Sequence, residues 1–193
     1  KLFGTQVKSI ISQLLALAFV GTASAQPNIV VIMADDLGWR DLHCYGNAQV
    51  DTPCLDQLAR EGMRFTNGYA AAPVCTPTRA AMMTGQSPAR LRITNHAPGN
   101  PDGFALKDSP LHEAENIRHL PLTAVTIAER LSAAGYATAH VGKWHLSHVT
   151  RGEKEIAETD LRPEKQGFDV NVGGCSSGGP PSYFAPNRNP ALI

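Results

Sequence analysis

Asn28-Ile29-Val30-Val31-Ile32-Met33-Ala34-Asp35-Asp36 is the stretch whose reading decides the fold. A strand with one wetted face alternates apolar and polar residues, whereas an unbroken β-branched run is expected of a strand buried on both faces, as in the centre of a parallel sheet. Thr52-Pro53-Cys54-Leu55-Asp56-Gln57-Leu58-Ala59-Arg60-Glu61-Gly62 follows with an N-cap Thr, Pro at the first helical position and Gly at the stop, and predicts a short amphipathic helix. A second helix is expected to begin around Pro77 and stop near Gly85, which places Cys75 at its N-terminal entry. A third carries the capping box Thr126-Ile127-Ala128-Glu129, continues its apolar face with Leu131 and ends at Gly135. Tyr136 to Val141 then returns as a short strand that delivers Gly142-Lys143-Trp144-His145 at its end. Strand, helix, helix, strand in this order points to an α/β fold with a mainly parallel sheet.

The flanking segments are of other kinds. Lys1 and Lys8 precede an apolar run from Ile10 to Val20, and Ala23-Ser24-Ala25 supplies the small residues of a cleavage site. Residues 1–25 therefore read as a secretory signal peptide; the alternative, a membrane anchor, needs about 20 apolar residues, more than this run holds. The chain begins without Met, a hint that it is a piece of something longer. Two stretches, 95–119 and 173–190, are rich in polar residues, Gly and Pro, and read as loops that either wall a pocket or simply cross the surface. No repeat or linker divides residues 26–193.

With 193 residues, 42% hydrophobic and 18% charged, the chain has the composition of an ordinary globular protein able to bury a core. Lys plus Arg and Asp plus Glu are equal at 17 each, so no global field favours nucleic acid or an anionic membrane, and any anion recognition must be local. Cys44, Cys54, Cys75 and Cys175 form no paired C-x-x-C zinc pattern. Export would permit a Cys44–Cys54 bridge, with free buried thiols as the alternative.

Open α/β sheets bind ligands at the carboxyl ends of their strands, where Asp35 and Asp36 stand. Adjacent carboxylates repel unless a cation compensates them, and hard oxygen donors suit Ca²⁺ or Mg²⁺ rather than Zn²⁺. Alone, such a pair after a strand is more often a turn or a helix cap. Lys143 and His145, taken singly, read as a solvated Lys and a satisfied His.

Cys75-Thr76-Pro77-Thr78-Arg79 resembles the Cys-x-Pro-x-Arg signature of the sulfatase family, whose cysteine is oxidised to formylglycine. The following Ala80-Ala81-Met82-Met83-Thr84-Gly85 resembles the family's small-residue helix closed by Thr-Gly. Pro27 through Gly38, Thr52-Pro53 through Leu58-Ala59, Gly142 through Leu146, and Gly167 through Phe184 are similar to family segments in the family's order, while Cys54 and Ser147 stand where Asn and Gly are expected. The resemblance implies an alkaline-phosphatase-like α/β sandwich of which this chain is the N-terminal part. It implies hydrolysis of sulfate esters of a small molecule or carbohydrate by an exported, periplasmic or secreted enzyme, with a formylglycine-generating enzyme as maturation partner and no nucleic-acid partner. A formylglycine-dependent phosphonate or phosphodiester hydrolase, and an inactive truncated fragment, are the alternatives; oligomeric state is not specified. By the same resemblance Asp35, Asp36 and modified Cys75 bind Ca²⁺, with Mg²⁺ the alternative. Arg79 holds the formylglycine, Lys143 contacts the sulfate, and His145 hydrogen-bonds the formylglycine hydroxyl and serves as base.

Overall fold

In the computed structural model the described residues are 26–98, 110–111, 114–149 and 156–180; the expected signal peptide, residues 1–25, lies outside them. The described residues form four α-helices, α1 (Pro53–Glu61), α2 (Cys75–Thr84), α3 (Pro88–Leu91) and α4 (Ile127–Ala133), with two strands, β1 (Ala139–Val141) and β2 (Val170–Val172). Short 3₁₀ turns occupy His43–Tyr45, Glu158–Leu161 and Pro163–Lys165.

The helix signals act largely as read. α2 stops where Gly85 takes a left-handed φ of 67° and returns its N–H to the Ala81 carbonyl, a geometry that a side chain would oppose. α4 closes the full capping box, Thr126 accepting from the Glu129 N–H while Glu129 accepts from the Thr126 N–H. In α1 the Pro53 start and Gly62 stop hold, but Thr52 caps nothing. Its hydroxyl donates to Asp56 and accepts from the His43 N–H instead, so α1 is tied to the His43–Tyr45 turn.

β1 and β2 pair in parallel, His140 opposite Asn171. The ladder is extended beyond the strand ends by Gly142 N–H to the Val172 carbonyl and His145 N–H to the Cys175 carbonyl. On its other side, Leu120 N–H donates to the Leu146 carbonyl. The segment 142–147 is thus held between two other segments of the chain, 172–175 on one side and Leu120 on the other. The core gathers around it: Trp144 and Leu146 pack with Ala80, Leu91, Ile93, Leu120 and Ala124, with Met83, Ile117 and Phe168 at the margin. Trp144 also donates its indole N–H to the Leu161 carbonyl at 3.1 Å, so the large ring is buried without stranding its polar atom.

One expectation is corrected. Residues 28–34 form no strand and are not buried: Val30 is 82% and Ile32 86% exposed. Burial on both faces requires neighbours on both sides, and among the described residues the only ladder is β1 with β2. The segment instead faces β1, α2 and α4 across a cavity of about 750 Å³, with Ile29, Val31 and Met33 on one side and Met82, Leu131 and Tyr136 on the other. The apolar run specifies an environment that the local chain does not by itself complete. Cys44 and Cys54 are not bridged: all four cysteines are free thiols, but only Cys175 is buried.

Candidate active site

Cys75 is the first residue of α2, and the preceding Val74 offers no side-chain cap. Backbone N–H groups of the first turn, with the positive end of the helix dipole, therefore lie open beside the thiol, a setting that favours an anion. Two hydroxyls fix this turn. Thr78 donates to the Ala72 carbonyl at 2.7 Å, and the buried Thr76 accepts from the Ala97 N–H at 2.9 Å.

Asp35 and Asp36 reach the same point from the end of the 28–34 run. One ligand atom from each of Asp35, Asp36 and Cys75 lies within 4.8 Å of the others. They line a cavity of about 240 Å³. Asp36 holds a left-handed φ of 57°, an unfavourable conformation for a non-glycine residue that turns it out of the line of the preceding segment. Asp35 caps no helix; its two oxygens accept from Arg79 at 3.2 Å and Lys143 at 2.6 Å. Partial burial pushes its pKa up, but the hydrogen bonds and charges of Lys143 and Arg79 outweigh that and hold the carboxyl below its ordinary value.

Arg79 is buried and its guanidinium spans two elements, donating to the Lys143 carbonyl at 2.5 Å as well as to Asp35. Lys143, delivered by the turn after β1, lies with its ammonium nitrogen 3.3 Å from the Cys75 sulfur. Five of the six residues singled out from the sequence, Asp35, Asp36, Cys75, Arg79 and Lys143, therefore converge at one place.

His145 is the sixth, and no hydrogen bond of the described residues joins it to Cys75. Its Nε2 is bonded to the Ala97 carbonyl, its backbone N–H to the Cys175 carbonyl, and it adopts a left-handed φ of 61°. A carbonyl can only accept, so the neutral ring carries its proton on Nε2 and presents a bare, buried Nδ1. Burial first, then the charges of Lys143, Arg79 and His96, press its pKa below the ordinary histidine value against the opposing bond to Ala97. Ala97 is the link: its N–H binds Thr76, next to Cys75, and its carbonyl binds His145. Sequence reasoning missed Thr76, Ala97 and Gly178, whose backbone lies so close to the imidazole that a Cβ there would stand 3.0 Å from Cε1. The run of glycines at 173–179 was the available signal, since close backbone approach is one reason for glycine.

An α/β chain that sets two carboxylates, a helix-N-terminal thiol, a guanidinium and an ammonium around one small cavity has the chemistry to hold a cation and an anion together. The family model for sulfatases matches residues 27–178, and the chain belongs to the sulfatase family. It is 47% identical to human arylsulfatase A over 162 residues, covering 84% of this chain and 28% of that protein. To mouse steryl-sulfatase the identity is 44% over 153 residues, covering 79% and 23%. To the N-acetylgalactosamine-6-O-sulfatase of Bacteroides thetaiotaomicron it is 40% over 151 residues, covering 77% and 26%. The chain thus spans about a quarter of the length of these relatives, 23 to 28%. Among solved structures, a protein of the Bacteroides thetaiotaomicron locus for metabolism of multiple glycosaminoglycans superposes with a TM-score of 0.62 at 37% identity, covering 80% of this chain and 29% of its own. Ps i-CgsB gives 0.57 at 31%, covering 77% and 28%. The fold is the alkaline-phosphatase-like arrangement of these proteins, represented here by the part around the small parallel sheet.

Proposed function

We propose that the chain forms the N-terminal part, residues 26–193, of a sulfatase catalytic domain that hydrolyses sulfate esters through a formylglycine made from Cys75. The observation that carries this reading is the convergence of Asp35, Asp36 and Cys75 ligand atoms within 4.8 Å at the open N-terminus of α2. The donor set fits a hard divalent cation, Ca²⁺ first and Mg²⁺ second, once the thiol is replaced by formylglycine oxygen. Such an ion would supply charge neutralisation for a sulfate group at this place.

The chain's own residues supply the nucleophile, a base and part of the anion cradle. A hydrated aldehyde at position 75 carries two hydroxyls on one carbon. One oxygen attacks sulfur in line, the alcohol leaves with a proton, and a covalent sulfate remains on residue 75. Loss of the proton from the second hydroxyl re-forms the aldehyde C=O and expels sulfate, an exit that a plain Ser or Cys ester would lack. His145, neutral with Nδ1 bare, is the proton acceptor. Lys143 beside position 75 and the first-turn N–H groups of α2 stabilise the negative oxygens of the sulfuryl group, and Arg79 holds Asp35 and the Lys143 backbone in register.

Relatives whose names specify a steryl sulfate and a sulfated aminosugar support a sulfated small molecule or carbohydrate as substrate. Residues 1–25 are proposed to direct export, to a periplasmic or secreted location. Among the described residues no helix is long and apolar enough to cross a membrane.

The test is coexpression with a formylglycine-generating enzyme followed by peptide mass spectrometry. A loss of about 18 Da at Cys75, as thiol becomes aldehyde, is expected, with no such species from Cys75→Ala. A thiol that persists at Cys75 under conditions that convert a known sulfatase would overturn the reading.

A further inference from the structure

His145 stands in an unfavourable left-handed conformation, so something must hold it there. Its backbone N–H is bonded to Cys175 and its ring is covered by the backbone of Gly178. Both belong to a single turn-rich segment without regular structure, residues 173–180. That segment is held at its start by Asn171, whose side chain bonds the Gly174 N–H and carbonyl, and further along by one carboxylate. Glu158 Oε1 accepts from the Ser176 N–H at 3.1 Å and from the Ser147 hydroxyl at 3.0 Å. Ser147 lies two residues after His145 and is fully buried. Arg162 in turn fixes Glu158, donating to Oε1 at 3.1 Å and to Oε2 at 2.9 Å through Nε, with a further contact of 2.8 Å through its outer nitrogen.

We propose that Glu158 is a positioning residue for His145: by clamping Ser176 to Ser147 it presses the 175–178 backbone onto the imidazole and holds the ring in the Nε2–H tautomer against Ala97. The proposal rests on the reading of His145 as proton acceptor, and gives that reading a mechanical basis away from the sulfate site. The ring has little room of its own. An added Cβ at Gly178 would meet Cε1 at 3.0 Å and Nε2 at 3.1 Å, so a small displacement of this wall is transmitted directly to the histidine. A carboxylate serves better than a neutral oxygen at the clamp, because one oxygen takes three donors and a charged acceptor binds each more strongly. The arrangement is the counterpart, in a hydrogen-bonded network, of an outer partner that fixes the tautomer and orientation of a functional histidine.

The test is ¹⁵N NMR of the imidazole in the full 193-residue chain at one fixed pH, where two well-separated nitrogen resonances report a single tautomer. The wild-type chain is expected to show the separated pair for His145. Glu158→Ala is expected to narrow the separation as tautomers mix and the Ala97 bond loosens, whereas Glu158→Gln, which retains an oxygen for Ser147 and Ser176, should largely restore it. If Glu158→Ala does not fold, Glu158→Asp is read in its place, since it keeps the charge for Arg162 but withdraws the oxygen by one methylene. Gly178→Ala should produce a comparable narrowing by pushing the ring directly. A folded Glu158→Ala, or Glu158→Asp in its stead, with the wild-type imidazole spectrum would overturn the proposal. Failure of Cys75 to convert would instead sink the functional reading and leave the imidazole result standing.

Discussion

Arg79→Met is expected to destabilise the chain by about 1–2 kcal/mol, and the figure follows from what each guanidinium nitrogen does. The bond from Nη1 to the Lys143 carbonyl, 2.5 Å long with a charged donor, contributes about 1.5–3 kcal/mol. The pair with Asp35 adds less than about 1 kcal/mol, because that carboxylate is 42% exposed and keeps its bond to Lys143. Against these, Nε of Arg79 is buried without a partner, and methionine removes that desolvation cost of about 1 kcal/mol or more. Urea denaturation followed by circular dichroism should show the midpoint falling by roughly 0.5–1 M at an m-value of about 2 kcal/mol/M. Arg79→Ala, which also empties the space of the buried stem, should fall further. A methionine variant as stable as the wild type would refute the reasoning: the guanidinium would then resemble the buried ion pairs that an apolar residue replaces without loss.

Two further outcomes can be read from stability. His140 and His145 are both held below the ordinary histidine value, first by burial and then by neighbouring positive charge, so the unfolded chain takes up their protons before the folded one does. Their contribution is complete above about pH 6.5 and is lost as the pH falls from there through the folded values; a stability flat between pH 7 and 5 would contradict this. Gly167→Ala should cost about 3 kcal/mol or more, because at φ 91° its Cβ would collide with the Glu129 nitrogen, backbone that cannot yield without breaking the α4 cap. Thermal denaturation reads it, and a shift of only a degree or two would show that the backbone gives way cheaply.

Where sequence and structure agree, the signal is local. Pro53, Gly62, Gly85 and the Thr126–Glu129 box each act within one helical turn, and each bounds a helix near its expected place. The candidate site residues were picked out for a different reason: Cys75-Thr76-Pro77-Thr78-Arg79 resembles a family signature, and Asp35, Asp36, Lys143 and His145 were singled out by the same resemblance, not by their spacing. What the sequence left dark is non-local. β2 could be recognised only by its partner β1, some 30 residues earlier, and three residues are too few for a period. The run 28–34 has the composition of a doubly buried strand, yet burial is a property of neighbours, and those present leave Val30 and Ile32 in solvent. Glu158 is invisible for the same reason, since Ser147 and Ser176 meet it from 11 and 18 residues away.

The cation site carries the final prediction. Ca²⁺ takes six to eight oxygens, whereas the described residues offer ligand atoms from three side chains, one of them a soft thiol until Cys75 is converted. Asp35 is moreover engaged twice, Oδ1 by Arg79 and Oδ2 by Lys143, so a cation must share or displace an existing positive partner. The unconverted 193-residue chain should therefore bind Ca²⁺ with Kd of about 1 mM or weaker. Lys143→Met should tighten binding several-fold by freeing Oδ2, whereas Asp36→Asn should weaken it. Titration calorimetry of the three proteins decides the matter. Micromolar Ca²⁺ affinity in the wild type, or no gain from Lys143→Met, would mean that Asp35 is not shared between the lysine and the cation.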